Sequence, residues 1–322
     1  MRQPPPAPSR PTTEAGTLRR LVRGGVWTTI DAWVSEAANI LVFLALVRLL
    51  APSEFGIVAM ATVFVALASD LGAFSLTHVL IQRKTLETGH VNAVFLIVMA
   101  LSVLAFAVLV VAAPAITALY GQPEVRPLLL WLSPVILLNA LTAVPIALLT
   151  REMQFARLAG RSFSMVVAGG VVGVGMAVLG FGPWALVGQQ LARAVVSIFA
   201  LTLAADWRPS VTCSARHLRE VRTYMLNTFV ERVIAVVDKR AVQFILGWLL
   251  GPAALGYYNV ASRLVEILLH LFTAPISQLV MPGFSRIQGD APRVRSLLEG
   301  GVRLASLISY PAFVGTAVIA PL

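Results

Sequence analysis

Charge is scarce in this sequence. Of 322 residues, 12% are Asp, Glu, Lys or Arg, while 58% are hydrophobic and the mean hydropathy is +0.83. A soluble domain of this length needs far more polar surface to cover its core, so that class is excluded. Cysteine is nearly absent: Cys213 alone rules out an intrachain disulfide framework or a two-cysteine metal knuckle. Catalytic signatures are missing as well. The chain has no HExxH, no Walker lysine loop, no GxSxG elbow and no dense aspartate cluster for a prenyl diphosphate substrate, so enzyme activity is not expected. It contains no nucleotide domain of the sort that drives an ATP-powered pump. The alternating strands of a porin-like barrel are absent too.

What is present is a series of apolar runs near bilayer length, separated by short charged connectors. These predict an all-α polytopic membrane protein. The first spans are expected near Val26–Leu50, Glu54–Ile81, Val91–Ala118 and Pro127–Thr150, with Pro134 and Pro145 inside the fourth. A glycine-rich fifth follows at Ser162–Leu179, whose Gly169, Gly170, Gly173 and Gly175 offer a small-residue face for close packing. A sixth spans Trp184–Ala205, a seventh Thr228–Leu250, an eighth Leu255–Met281, and a ninth starts near Leu297–Arg303. The Pro-rich opening reads as a disordered tail rather than a secretory signal, because the apolar run after it is too long.

The formal net charge of +10 would suggest nucleic acid in a soluble protein. Here the basic residues sit between apolar runs, which makes orientation the better explanation and no nucleic-acid partner is expected. Arg2, Arg10, Arg19, Arg20 and Arg23 precede the first span. Arg83 and Lys84, then Arg151, Arg157 and Arg161, then Arg208, Arg216, Arg219 and Arg222, then Arg286, Arg293, Arg295 and Arg303 fill every second connector. The intervening connectors carry only Arg126. The positive-inside rule therefore places the N-terminus in the cytoplasm.

Intramembrane charge marks the candidate functional residues, because it is expensive in hydrocarbon and usually faces a bundle interior or a wet cavity. The seventh span holds Glu231, Arg232, Asp238, Lys239 and Arg240. Its two acids are seven apart, as are Arg232 and Lys239, so each pair repeats along one side of a helix. Protrusion of its first turns into the headgroups is the plainer alternative. In the eighth span Asn259, Arg263, Glu266 and His270 fall on one face, with Arg263 and Glu266 spaced to pair. Arg232, Lys239, Arg240, Arg263, Asn259 and Glu266 are the cavity candidates. Asp31, Glu36, Asp70, Glu231 and Asp238 are the buried acids available to a coupling ion; Arg48 and Arg193 are further charges of the first lobe.

An internal repeat is also legible. Residues 48–56 read RLLAPSEFG and residues 248–256 read WLLGPAALG, matching at Leu49, Leu50, Pro52 and Gly56 with a constant offset. The motifs follow the first and seventh spans, so the repeat would be parallel, about an axis along the membrane normal. A common helix-turn-helix sequence used twice is the alternative. On the repeat reading, residues 1–23 are a basic cytoplasmic tail, 24–205 a first lobe of about six helices, 206–222 a cytoplasmic connector, and 223–322 the start of a second, incomplete lobe.

VWTTIDAWVSEAANILVFLALVRLLAPSEFGIVAMATVF, followed in order by DLGAFSLTHVLIQRK, LTREMQFARLA, LLGPAALGYYNVASRLVEI and QLVMPGFSRIQGD, resembles the oligosaccharide flippases. These are the Wzx-type polysaccharide exporters, related to multidrug extrusion proteins and peptidoglycan lipid flippases. The resemblance covers nearly all of residues 18–322. It implies a two-lobed exporter fold of six-helix bundles in the inner membrane. It also implies translocation of a polyprenyl-diphosphate-linked oligosaccharide to the outer leaflet, without a cofactor and with proton or sodium coupling. The family's basic cavity residues would correspond in role to Arg232, Lys239, Arg240 and Arg263. Polysaccharide polymerases or glycosyltransferases are the implied protein partners. A cation-coupled drug antiporter and a non-transporting scaffold for polysaccharide assembly are the alternatives.

Overall fold

In the computed structural model, residues 34–82, 87–204 and 240–267 are described, with single positions at 207, 234, 237, 238, 306 and 310. Helix α1 covers residues 34–49, then α2 Pro52–Gln82, α3 Thr88–Tyr120, α4 Val125–Leu132, α5 Pro134–Arg151, α6 Phe155–Val178 and α7 Trp184–Ala204. The described residues contain no strand, and six helical segments among them are long and apolar enough to cross a membrane. Their outward faces are apolar: Leu203 is 90% exposed and Val111 81%. Such side chains suit hydrocarbon, and hydrogen bonding within each helix satisfies the backbone there.

The helical run Arg240–Ile267 contains Gly251 at φ 80°. A right-handed helix cannot pass through that value. A Cβ placed on Gly247 would lie 3.1 Å from Cδ2 of Leu255, whereas residues eight apart in an unbroken helix are separated by about 12 Å. The chain therefore turns back at Gly251, and the two arms are α8 (240–250) and α9 (252–267).

Contacts divide the chain into two compact units, residues 1–256 and 257–322. In the first, Leu80 of α2, Val91, Val94, Phe95 and Val98 of α3, and Ala140, Ala143, Val144 and Ala147 of α5 form a buried cluster. The alanines of α5 let two bulkier helices close over it. The Phe95 ring packs edge-on against Trp207 at 5.4 Å.

Two boundaries differ from the sequence reading. The expected fourth span is divided at Ser133 into α4 and α5, because Pro134 has no N–H to continue the hydrogen-bond ladder. The fifth begins at Phe155 instead of Ser162. Arg157 and Arg161 look like a connector in sequence but lie on the first turns of α6. Arg157 donates to the carbonyl of Ala204, at the last residue of α7. Arg161 Nε donates to Ser197 Oγ at 2.7 Å. Arg151 in turn reaches the carbonyl of Leu80, near the end of α2, at 2.6 Å. Basic side chains thus satisfy the carbonyls and negative dipole ends of two helices.

Candidate functional site: a seam between two helical hairpins

The two copies of the repeated motif turn the α1–α2 and α8–α9 hairpins, and they touch each other. A Cβ on Gly56 would fall on the carbonyl oxygen of Pro252, and a Cβ on Gly256 would fall on that of Pro52. The same atoms would lie 3.0 Å from the Gly256 nitrogen and 3.2 Å from the Gly56 nitrogen. Each contact is the image of the other, so a local twofold relates the two turns. Only glycine permits this approach, since any side chain would meet main-chain atoms. Proline opens α2 and α9, a position where the missing N–H costs nothing.

From that contact α2 and α8 run antiparallel. Met60 lies beside Gly247, Phe64 beside Phe244, and Asp70 beside Arg240. The rings of Phe64 and Phe244 meet edge-on at 5.9 Å, and Tyr120 at the end of α3 packs against both, at 6.0 and 6.1 Å. Such aromatic pairs contribute about 0.5–1.5 kcal/mol each beyond area burial, so this cluster is the firm middle of the seam. Asp70 Oδ2 lies 3.9 Å from Arg240 Nη2, with the side chains 31% and 24% exposed. Arg240 Nη1 also donates to Gln243 Oε1 at 3.3 Å. The sequence singles out both charged residues but offers no signal of their pairing. That signal lies in the hairpin geometry, which fixes the register of α2 against α8 once Gly56 meets Pro252.

A second polar layer lies inside the first bundle. Arg193 of α7 donates to Asn39 Oδ1 of α1 at 2.8 Å. Gln190 Nε2 approaches Thr62 Oγ1 at 3.4 Å. The glycine face of α6 makes room for this layer: a Cβ on Gly169 would lie 2.5 Å from Cγ of Arg193, and one on Gly173 would lie 2.9 Å from Cβ of Gln189. Gly170 likewise admits Val42 of α1, whereas Gly175 faces open space. Three of the four glycines are therefore packing residues.

The remaining candidates are scattered. Asp238 is exposed, and Glu36 is partly buried and engaged in polar interactions. In the second unit Asn259 is partly buried, and Arg263 Nη1 pairs with Glu266 Oε2 at 3.3 Å one turn away. Asp31, Glu231, Arg232, Lys239, His270, Cys213, the basic tail and all of the ninth span but Ser306 and Tyr310 lie outside the described residues. Among the described residues no group of acids, histidines or cysteines is arranged to hold a metal. An apolar groove of about 460 Å³ separates α2 from α3, lined by Phe64, Leu67 and Ala68 on one side and Leu101 to Ile116 on the other.

The family described as polysaccharide biosynthesis protein matches residues 45–322. The succinoglycan biosynthesis transport protein ExoT of Rhizobium meliloti is 25% identical over 305 residues, 95% of this chain and 61% of that protein. The lipopolysaccharide biosynthesis protein WzxC of Escherichia coli is 21% identical over 93% of this chain and 61% of its own length. The chain thus spans about three fifths of these relatives. Among solved structures, the lipid II flippase MurJ in an inward closed conformation aligns with a TM-score of 0.68 at 16% identity, covering 90% of this chain and 65% of that one. A multidrug resistance MATE transporter in an inward-facing conformation aligns at 0.57 and 18%, covering 92% and 70%. These two likenesses establish the helical exporter fold and, with the spans above, a multi-pass membrane protein. By the match over residues 45–322, the chain belongs to the polysaccharide biosynthesis protein family.

Proposed function

We propose that the protein carries a polyprenyl-diphosphate-linked oligosaccharide from the cytoplasmic to the outer leaflet of the inner membrane, for exopolysaccharide or lipopolysaccharide synthesis. The observation that carries this reading is the reciprocal contact of Gly56 with Pro252 and Gly256 with Pro52, in a chain of this family. Helices whose turns are related by a twofold and closed backbone to backbone have two natural arrangements. They separate at the glycines or at the opposite end, as alternating access to a large headgroup requires. With the N-terminus in the cytoplasm, α1 rises to the outer side, so the glycine contact closes the outer face and the cargo enters from within.

Arg240 and Arg263 are the basic residues assigned to the cargo's phosphates and acidic sugars, with Arg232 and Lys239 as further candidates on the same span as Arg240. Asp31, Glu36, Glu231 and Asp238 remain the acids available for proton or sodium coupling. Asp70 is better understood as a partner of Arg240. No bond of the cargo is made or broken, and a polymerase or glycosyltransferase would supply and receive it.

The test uses the full-length gene in a deletion strain. The division of undecaprenyl-linked oligosaccharide between leaflets is measured with and without the protein. Cytoplasmic-side accumulation in the deletion, relieved by the wild-type gene, is expected. An unchanged distribution with polymer lost would refute flipping and favour a scaffold. Dye efflux stimulated by a cation would favour the extrusion antiporters.

A further inference from the structure

Arg240 is balanced in charge but poorly supplied with hydrogen bonds. A guanidinium presents five N–H donors in a fixed fork. Here Asp70 stands 3.9 Å away, beyond hydrogen-bonding range, and Gln243 accepts at 3.3 Å. Arg240 Nε is buried and has no hydrogen-bond partner among the described residues. Both members of the ion pair keep part of their surface open, so another group can reach them. An arginine inside a membrane-spanning bundle needs a counter-charge, and Asp70 supplies it from the facing helix. It does so without the paired, short bonds that make arginine–carboxylate contacts strong.

We propose that Asp70 is the resident occupant of an anion site formed by Arg240, and that the phosphate or diphosphate of the cargo takes its place. The inference rests on the flippase reading and adds a competitor to it. A phosphate offers oxygens that match the guanidinium fork at short distance, which Asp70 does not from its present position. The exchange leaves one anion at Arg240 before and after, so the bundle never holds the arginine alone. It also releases Asp70, the charged link between α2 and α8, at the end of the seam remote from Gly56. Cargo occupancy is thereby coupled to the grip between the hairpins.

The experiment measures binding of farnesyl diphosphate to the purified full-length protein in detergent, with inorganic pyrophosphate and farnesol as the other arms. Wild type is expected to bind farnesyl diphosphate and not farnesol. Arg240→Gln should weaken that binding by about tenfold or more, since charge-assisted bonds are lost. Asp70→Asn should tighten it by about threefold to tenfold, because the competing carboxylate has gone. The double variant should bind like Arg240→Gln. Melting temperatures of all variants monitor folding. If inorganic pyrophosphate binds as tightly as the prenylated form, the site takes free diphosphate and the lipid source is overturned. Weaker or unchanged binding in Asp70→Asn with a normal melting temperature would overturn the exchange, as would wild-type affinity in Arg240→Gln. Failure of wild type to bind any diphosphate overturns it too. The leaflet measurement separates the two readings: normal flipping without the expected variant pattern defeats only the exchange, whereas the variant pattern without flipping defeats the proposed function.

Discussion

Replacing Gly56 by alanine tests the seam directly. The new methyl would coincide with the carbonyl oxygen of Pro252, and neither partner is a side chain that can swing aside. Relief requires the hairpins to part by about 1.5–2 Å, the shift that restores ordinary carbon–oxygen contact. Overpacking of this sort costs typically about 1–3 kcal/mol. A gap of about 0.5–1 Å already forfeits a quarter to a half of the dispersion energy of the atoms behind it. Together these give about 2–4 kcal/mol against the closed seam, a shift of roughly thirtyfold to a thousandfold in the ratio of closed to parted forms. Gly256→Ala should cost about the same by symmetry. The double variant should cost little more than either single one, because one displacement relieves both clashes. Gly247→Ala is the control: its methyl would meet Leu255, Tyr120 and Met60 at 3.1–3.4 Å, so side chains can adjust and less than about 1 kcal/mol is expected. The assay is thermal unfolding in detergent, together with labelling of a cysteine placed at Ser53 by an impermeant maleimide in a Cys213→Ser background. Gly56→Ala should melt lower and label faster. Wild-type behaviour in both, or fully additive costs in the double variant, would refute the geometry.

Other substitutions probe the rest of the framework. Gly169→Ala should displace Arg193 from Asn39 and destabilise by about 1–3 kcal/mol, and pairing it with Arg193→Ala should recover part of that loss; a thermal-melt cycle measures it. Gly175→Ala, with nothing near its new methyl, should be neutral or raise stability by up to about 1 kcal/mol on the same scale. Arg151→Gln should cost about 1–2 kcal/mol through the lost bond to the Leu80 carbonyl. A topology reporter fused after α5 should still show the wild-type orientation, since Arg157 and Arg161 remain on the same side.

Hydrophobic runs and prolines disclosed the spans because bilayer thickness sets their length. The starts of α2, α3 and α7 fall within a few residues of expectation. The start of α6 was hidden because Arg157 and Arg161 carry a connector's charge while lying on the helix and bonding to α7. The repeated LLxPxxxG motif was visible as letters, but its two copies meeting each other is a property of space. Asp70 and Arg240 were conspicuous singly because charge in an apolar run is conspicuous. Their pairing was not, since no periodicity connects residues so far apart on different helices. Phe64, Tyr120 and Phe244 left no mark at all in a sequence so rich in apolar residues.

The two hairpin turns reach the same bend by different means. At the first, Glu54 Oε2 accepts from the Ala51 N–H at 2.7 Å, and Gly182 of the α6–α7 turn makes room for its carboxylate. At the second, residue 254 is alanine, and the bend depends on the freedom of Gly251 at φ 80°. One corner is braced by a side-chain bond, while the other bends on a left-handed glycine with Leu255 buried beneath it. Two turns built this way share a shape and reach it by different chemistry. The first turn therefore loses its form when one carboxylate is removed, whereas the second loses it when Gly251 gains a side chain.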